Sequence, residues 1–171
     1  PFNLIHYAGV ITGPGGLRKI GANELRLGGT NANTFTGRLL VEAGTVSLTK
    51  PADVPGLVGP VEVVGGTLRT GGVGQLGAVT SMTVRGPGLA DLNFSRQTLN
   101  GALFLQGASG SNGAPFALRA NLSTIASSNP SVIAGSLELA ATSQWTVTDG
   151  GADADLIVLA RILETGSASL R

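Results

Sequence analysis

The chain has no cysteine and a single histidine, His6, so any chemistry it carries must be sought first among its acidic residues. One acidic cluster occurs, Asp149-Gly150-Gly151-Ala152-Asp153-Ala154-Asp155. Hard carboxylate oxygens on a glycine-rich turn are the composition of a calcium loop. Asp149, Asp153 and Asp155 are therefore candidate calcium ligands. The cluster is also a distorted relative of the calcium nonapeptide GGxGxDxUx, lacking its second glycine and present once. The competing reading is a solvated turn between Val147 and Leu156. The other carboxylates weighed for catalysis, Glu24, Glu42, Glu62, Asp91 and Glu138, each stand among apolar or small residues. Glycan lyases and hydrolases need several such groups converging, as an acid/base pair or around calcium. Isolated outward carboxylates read instead as solvated surface.

The remaining candidates are weaker. His6 has no His or Cys partner for zinc, and nothing suggests a Ser-His-Asp arrangement; it reads as a surface or edge residue. Gly13-Pro14-Gly15-Gly16 lacks the Lys-Ser/Thr and following helix of a phosphate loop, so it reads as a turn. Trp145 and Tyr7 offer stacking faces for a sugar, with core packing or capping as the alternative; Trp145 is the candidate ligand surface. Asn93-Phe94-Ser95 and Asn121-Leu122-Ser123 match a glycosylation acceptor pattern. These residues predict no catalytic group, no cofactor and no enzyme.

The elements that position these residues follow from composition and period. Twenty-seven glycines without a three-residue repeat exclude collagen, and abundant Val, Leu and Thr with 12% charge argue against disorder. No stretch carries helical apolar spacing for three turns, and no apolar run reaches 18 residues, so no transmembrane helix is expected. A net charge of +1, with basic residues scattered from Arg18 to Arg171, gives no nucleic-acid footprint. No basic segment followed by an apolar signal-like run appears, and the opening Pro1-Phe2-Asn3 reads as a processed piece or a fragment.

Short alternating runs recur at 21 to 22 residues. Leu39-x-Val41, Val61-x-Val63 and Met82-x-Val84 form one ladder; Leu25-x-Leu27, Val46-x-Leu48 and Leu68-x-Thr70 form another. Such a period predicts an all-β parallel solenoid, one coil per period, with seven or eight coils in a rod roughly 35 Å long. An antiparallel sandwich also has strands at 8–12-residue spacing but does not keep the ladders in phase. Asn31, Asn33 and Gly37 are expected at corners, where stacked Asn can form a ladder. Beyond Gly86 the phase weakens; residues 107–115 (GASGSNGAP) and 125–130 (IASSNP) read as polar loops leaving the coil. Leu4-Ile5-x-x-Ala8 echoes Leu156-Ile157-x-x-Ala160 at 152 residues, and Leu17-Arg18 echoes Leu170-Arg171 at 153. A long repeat over residues 4–155, with the next copy opening at 156, is the reading of that echo.

Residues 15–48 name the pattern more closely. Gly15-Gly16-Leu17-Arg18-Lys19-Ile20-Gly21, Glu24-Leu25-Arg26-Leu27-Gly28-Gly29, Asn33-Thr34-Phe35-Thr36-Gly37 and Val41-Glu42-Ala43-Gly44-Thr45-Val46-Ser47-Leu48 resemble the passenger-associated transport repeat of autotransporter proteins. Arg18 and Glu24 are bulkier and more charged than the family's usual small residues. Gly59-Pro60-Val61-Glu62-Val63-Val64-Gly65-Gly66-Thr67-Leu68 is similar to the coil that follows such a repeat, and Trp145 to Gly151 with Asp155 to Val158 resembles the segment preceding a new copy. The resemblance implies a single-stranded right-handed parallel β-helix over residues 1–171, exported to the outside of a bacterial cell.

The expected function is that of a non-enzymatic stalk, fibre or surface-filament module. Its coil ends would stack head to tail on a second copy, or on neighbouring repeats of a larger surface protein, through Leu4, Ile5, Leu156, Ile157, Val158 and Leu159. The alternatives are a polysaccharide-active β-helix and a glycan-binding adhesin using residues 107–115 and Trp145.

Overall fold

The computed structural model describes residues 4–92 and 95–164. In chain order the strands are β1 (Leu4–Tyr7), β2 (Leu17–Lys19), β3 (Glu24–Leu27), β4 (Leu39–Val41), β5 (Thr45–Leu48), β6 (Val61–Val63), β7 (Thr67–Thr70), β8 (Ser81–Arg85), β9 (Leu89–Asp91), β10 (Gln97–Leu99), β11 (Ala102–Gln106), β12 (Ser109–Leu118), β13 (Leu122–Thr124), β14 (Ser131–Leu139), β15 (Trp145–Thr146) and β16 (Leu156–Glu164). They form a β-solenoid of about seven turns, with about 21 residues per turn and no helix among the described residues. One face runs β1-β3-β5-β7-β9-β12-β14-β16, with β10 beside β12; the other runs β2-β4-β6-β8-β11-β13-β15. The ladders are parallel, because each strand meets the corresponding strand of the next coil.

Both sequence ladders are realised. Leu25, Val46 and Leu68 stand in one column, and Leu27, Leu48 and Thr70 in the next. On the second face Leu39, Val61, Met82, Leu103 and Leu122 stack in register. Val46, Leu48, Leu68, Leu39, Val61 and Met82 are all buried. Alternation within each three- to five-residue strand turns every second side chain inward, so stacking alone makes a continuous core.

The second-face ladder does not weaken beyond Gly86; it continues through Leu103 and Leu122 to Trp145. The weak sequence signal comes from the first face. There Ala90 and Gly110 occupy the column held elsewhere by Val46, Leu68 and Ile133. Small side chains at that level leave a cavity of about 30 Å³ beside Met82, Leu103 and Phe116.

Residues 107–115 are not a loop. From Ser109 onward they belong to β12, which pairs with β9 on one side and β14 on the other, with a register shift between Asn112 and Phe116. Two flanking strands hold this backbone whatever its own alternation, which is why a polar, glycine-rich composition misleads here. Residues 125–130 do form the expected loop, between β13 and β14.

The corners explain the glycines. A Cβ on Gly37 would lie 2.4 Å from the carbonyl carbon of Gly15, and one on Gly59 would lie 2.5 Å from the oxygens of Thr36 and Gly37. Gly44 combines a φ of +67° with a 2.4 Å approach to the Asn23 oxygen. Successive coils touch backbone to backbone at these points, and only hydrogen fits between them. Asn31 and Asn33 do not use the left-handed conformation, since Asp53 is the non-glycine residue with positive φ among the described residues. Asn33 turns inward and is 1% exposed. It accepts from the Ile11 N–H at 3.0 Å and donates to the Gly56 carbonyl at 2.9 Å, bridging the coils on either side.

Gly59→Ala is expected to lower unfolding free energy by about 3 kcal/mol, because the clash is with backbone that cannot yield. Gly15→Ala, whose Cβ would meet nothing within 4 Å, is expected to stay within about 0.5 kcal/mol. Urea denaturation of both variants checks the pair; equal effects would refute the backbone-contact account.

Candidate functional site

The exposed large apolar side chains gather at the two ends of the rod. The first coil exposes Leu4, Ile5, Tyr7, Val10 and Ile20; the last exposes Val147, Leu159 and Ile162. Val73 is the one exposed elsewhere among the described residues. For Ile5, Tyr7 and Ile162 the cause is geometric: they stand in inward columns that run out of coils. Ile5 continues the Leu25–Val46–Leu68 column yet is 65% exposed. At the other end Ile162 continues the Phe116–Leu137 column and is 41% exposed.

The residues expected to mediate assembly lie at these ends, on one face. Leu4 and Ile5 are exposed on β1; on β16, Leu156, Ile157 and Val158 are half-buried and Leu159 is 69% exposed. Six strands separate β1 from β16. Followed strand by strand, the ladder aligns Leu4 with Ile157 and Ile5 with Val158. This is the 153-residue offset of the Leu17–Leu170 echo, one residue beyond that of Leu4–Leu156. One residue matters, because it exchanges inward for outward side chains. Leu170 itself lies outside the described residues.

The acidic cluster is a fastened turn. Asp149 and Asp153 are exposed, while Asp155 is half-buried. One carboxylate oxygen of Asp155 accepts the Gly150 N–H at 2.9 Å, and its backbone carbonyl accepts the Ser131 N–H at 3.0 Å. The described residues contain no group of three His, Cys, Asp or Glu side chains placed to hold a metal ion.

The five other carboxylates are not isolated, contrary to the sequence reading. Glu42 pairs with Arg18 at 2.7 Å, and Glu62 with both Arg38 at 2.6 Å and Arg85 at 3.0 Å. Asp91 pairs with Arg69 at 3.0 Å, Glu24 with Arg26 at 3.2 Å, and both oxygens of Glu138 accept from Arg96 at 2.7 Å. The Glu42 hydrogen bond and charge hold the Arg18 pKa above its usual range. Most of these pairs are exposed and contribute little to stability. Asp91 and Glu138 are buried, so their arginines offset part of the cost of removing those carboxylates from water. The missed signal was the period itself: Arg18 to Glu42 and Arg38 to Glu62 are each 24 residues apart, close to one coil.

Sequence reasoning also passed over the lysines. The chain has two, Lys19 and Lys50, and both are buried. The Lys19 ammonium donates to the carbonyls of Ile20, Gly21 and Ala43 at 2.6–3.0 Å; that of Lys50 donates to Gly28 and Asn31 at 2.7 Å each. Each lysine gathers the carbonyls that a tight corner leaves without partners. Burial lowers the pKa of both.

Trp145 packs half-buried against the core, and its indole N–H donates to Ser143 Oγ at 3.2 Å. With Asn121, Thr142 and Gln144 it borders an open depression. His6 is exposed on β1, as expected. Tyr7, also exposed, directs its hydroxyl toward the Val10 carbonyl at 3.4 Å.

Comparison with protein-family models, with curated proteins and with solved structures returns no match to this chain.

The lysines generate a pH dependence. A lowered folded-state pKa means that, between it and the ordinary 10.5, the unfolded chain binds more protons than the folded one. Stability therefore rises with pH as 10.5 is approached from below. Urea midpoints measured from pH 7 to 9.5 are expected to increase. Lys50→Met is expected to flatten this rise, and to lose about 1–3 kcal/mol at pH 7 by leaving the Gly28 and Asn31 carbonyls without a donor. A midpoint that falls over that range in the parent chain would contradict the assignment.

Proposed function

We propose that this chain is an architectural module of an extracellular bacterial surface protein, extending a stalk or fibre by head-to-tail stacking of its coil ends. The observation that carries the reading is the concentration of exposed apolar side chains at the two ends, among them Ile5 and Ile162 in line with core columns that stop there. The resemblance of residues 15–48 to the autotransporter passenger repeat supports the extracellular setting.

The mechanism is continuation of the fold. A parallel edge strand displays unpaired N–H and C=O groups along with its inward apolar residues, and a like strand satisfies both. Stacking β16 of one copy on β1 of the next would place Val158 over Ile5 and Ile157 over Leu4, by the register that the ladders follow internally. The two surfaces differ, so the contact is heterologous and propagates along a line instead of closing. An adjoining repeat of a longer chain would make the same joint.

Light scattering and electron microscopy over a concentration series test this. Rods one coil-diameter wide that lengthen with concentration are expected. Ile5→Lys is expected to weaken association at least tenfold, roughly the effect of one buried apolar side chain lost from a contact. A chain that stays monomeric at roughly millimolar concentration, far weaker than a specific interface, would sink the proposal.

A further inference from the structure

The corner leading from the second face back to the first changes along the rod. Residues 42–44, 64–66 and 86–88 turn it in three residues, whereas the turns before β14 and β16 are longer, taking residues 125–130 and 147–155. The two long turns are joined, the Gly151 N–H donating to the Ser127 carbonyl at 2.8 Å. Insertions on one side of a solenoid build a raised wall, and such loops are where repeat proteins hold ligands. Between this wall and the tight corners lies an open lateral groove of about 590 Å³, within the size range of small-molecule sites. It sits between the ends and is independent of how they associate.

Its floor is glycine and proline. A Cβ on Gly107 would lie 2.5 Å from Ser127 Oγ, so the wall rests directly on the floor. The polar edge is fixed in advance. Arg85 donates to Glu62 through Nε at 3.0 Å and to the Gln106 side-chain oxygen through Nη1. The Gln106 amide then donates to the Ala126 carbonyl at 3.1 Å, tying the tight corner to the wall. On the wall, Ser127 Oγ accepts the Asn129 N–H at 3.2 Å, which leaves its hydroxyl hydrogen to donate elsewhere. The Asn129 side chain is exposed beside it. Pro87 and Val64 supply apolar surface between these groups.

The one charged lining side chain, Arg85, is already committed to Glu62 and Gln106, so the lining leaves no free counter-charge for an acidic ligand. Alternating hydroxyl partners and small apolar platforms instead match a sugar ring, which presents polar edges and C–H faces. The lining contains no carboxylate, whereas glycoside hydrolysis usually uses a pair of them. We propose that this groove binds a neutral oligosaccharide without cleaving it.

The test is amide-resolved NMR titration of the full chain with maltohexaose, cellohexaose, xylohexaose and chitohexaose, with hexagalacturonate as the charged control. At least one neutral hexasaccharide is expected to give saturable shifts centred on Gln106, Ser127 and Asn129. A Ser127→Ala/Asn129→Ala double variant is expected to weaken that binding about tenfold, the effect of two surface hydrogen bonds. Asn121→Ala, at the Trp145 depression, is expected to leave it unchanged. Three results would overturn the proposal: no shifts at these amides with any neutral hexasaccharide at roughly 10 mM, weaker than any specific site; shifts centred on Asn121 and Gln144; or tighter binding of the acidic control.

Discussion

Parallel backbone pairing between coils is the constraint on which every other feature of this molecule depends. Strands in such ladders stand about 4.8 Å apart, and the chain must hold that spacing around the whole circuit, corners included. On the flat faces the requirement is easily met, and Leu, Val and Met fill the space between. At the corners the same spacing brings backbone onto backbone, as at Gly37 over Gly15 and Gly59 over Gly37. Composition follows from spacing: glycine is abundant here because coils touch, and its placement marks where they touch most closely.

The arc between the two faces sets a different problem. It lacks a regular ladder over much of its length, so its amides and carbonyls need other partners. Buried side chains with their own amides or ammonium groups supply them. Asn33 bonds to Ile11 and Gly56, Lys50 to Gly28 and Asn31, Gln75 to Lys50, and Gln97 to Gly72, while the Gln97 side-chain oxygen accepts the Gln75 N–H. Each reaches about one coil along the rod. The interior is therefore apolar beneath the faces and polar beneath the arc. This division is costly to disturb, because a buried carbonyl left without a donor loses its full solvation.

The same logic separates what the sequence disclosed from what it concealed. Leu39-Val61-Met82 and Leu25-Val46-Leu68 were legible because apolar side chains repeat with the coil. The ion pairs leave no local mark, although Arg18–Glu42 and Arg38–Glu62 obey the same period, because each partner lies one coil away and not beside the other in sequence. Residues 107–115 deceived for a related reason: their strand is imposed by β9 and β14. Lys50 was concealed by its type, since a lysine ordinarily suggests solvent, and Asn33, expected at a corner, is distinguished by turning inward. The groove was invisible because it is made by a difference in turn length between coils, not by any motif.

Apolar columns of this kind carry little positional information. Val46, Leu68 and Ile133 hold equivalent places, and a core of leucine and valine accepts many partners of like pattern. What distinguishes one coil from the next is the polar set: which amide reaches which carbonyl in the arc, and which arginine reaches which carboxylate on the surface. Arg96 shows how far this extends, since it grips Glu138 from 42 residues away, across an intervening coil. Such contacts add modestly to stability where exposed. Their consequence is for register, because a displaced coil would keep its apolar match and strand its buried charges. The stability of the rod thus rests on what its coils share, and its identity on how they differ.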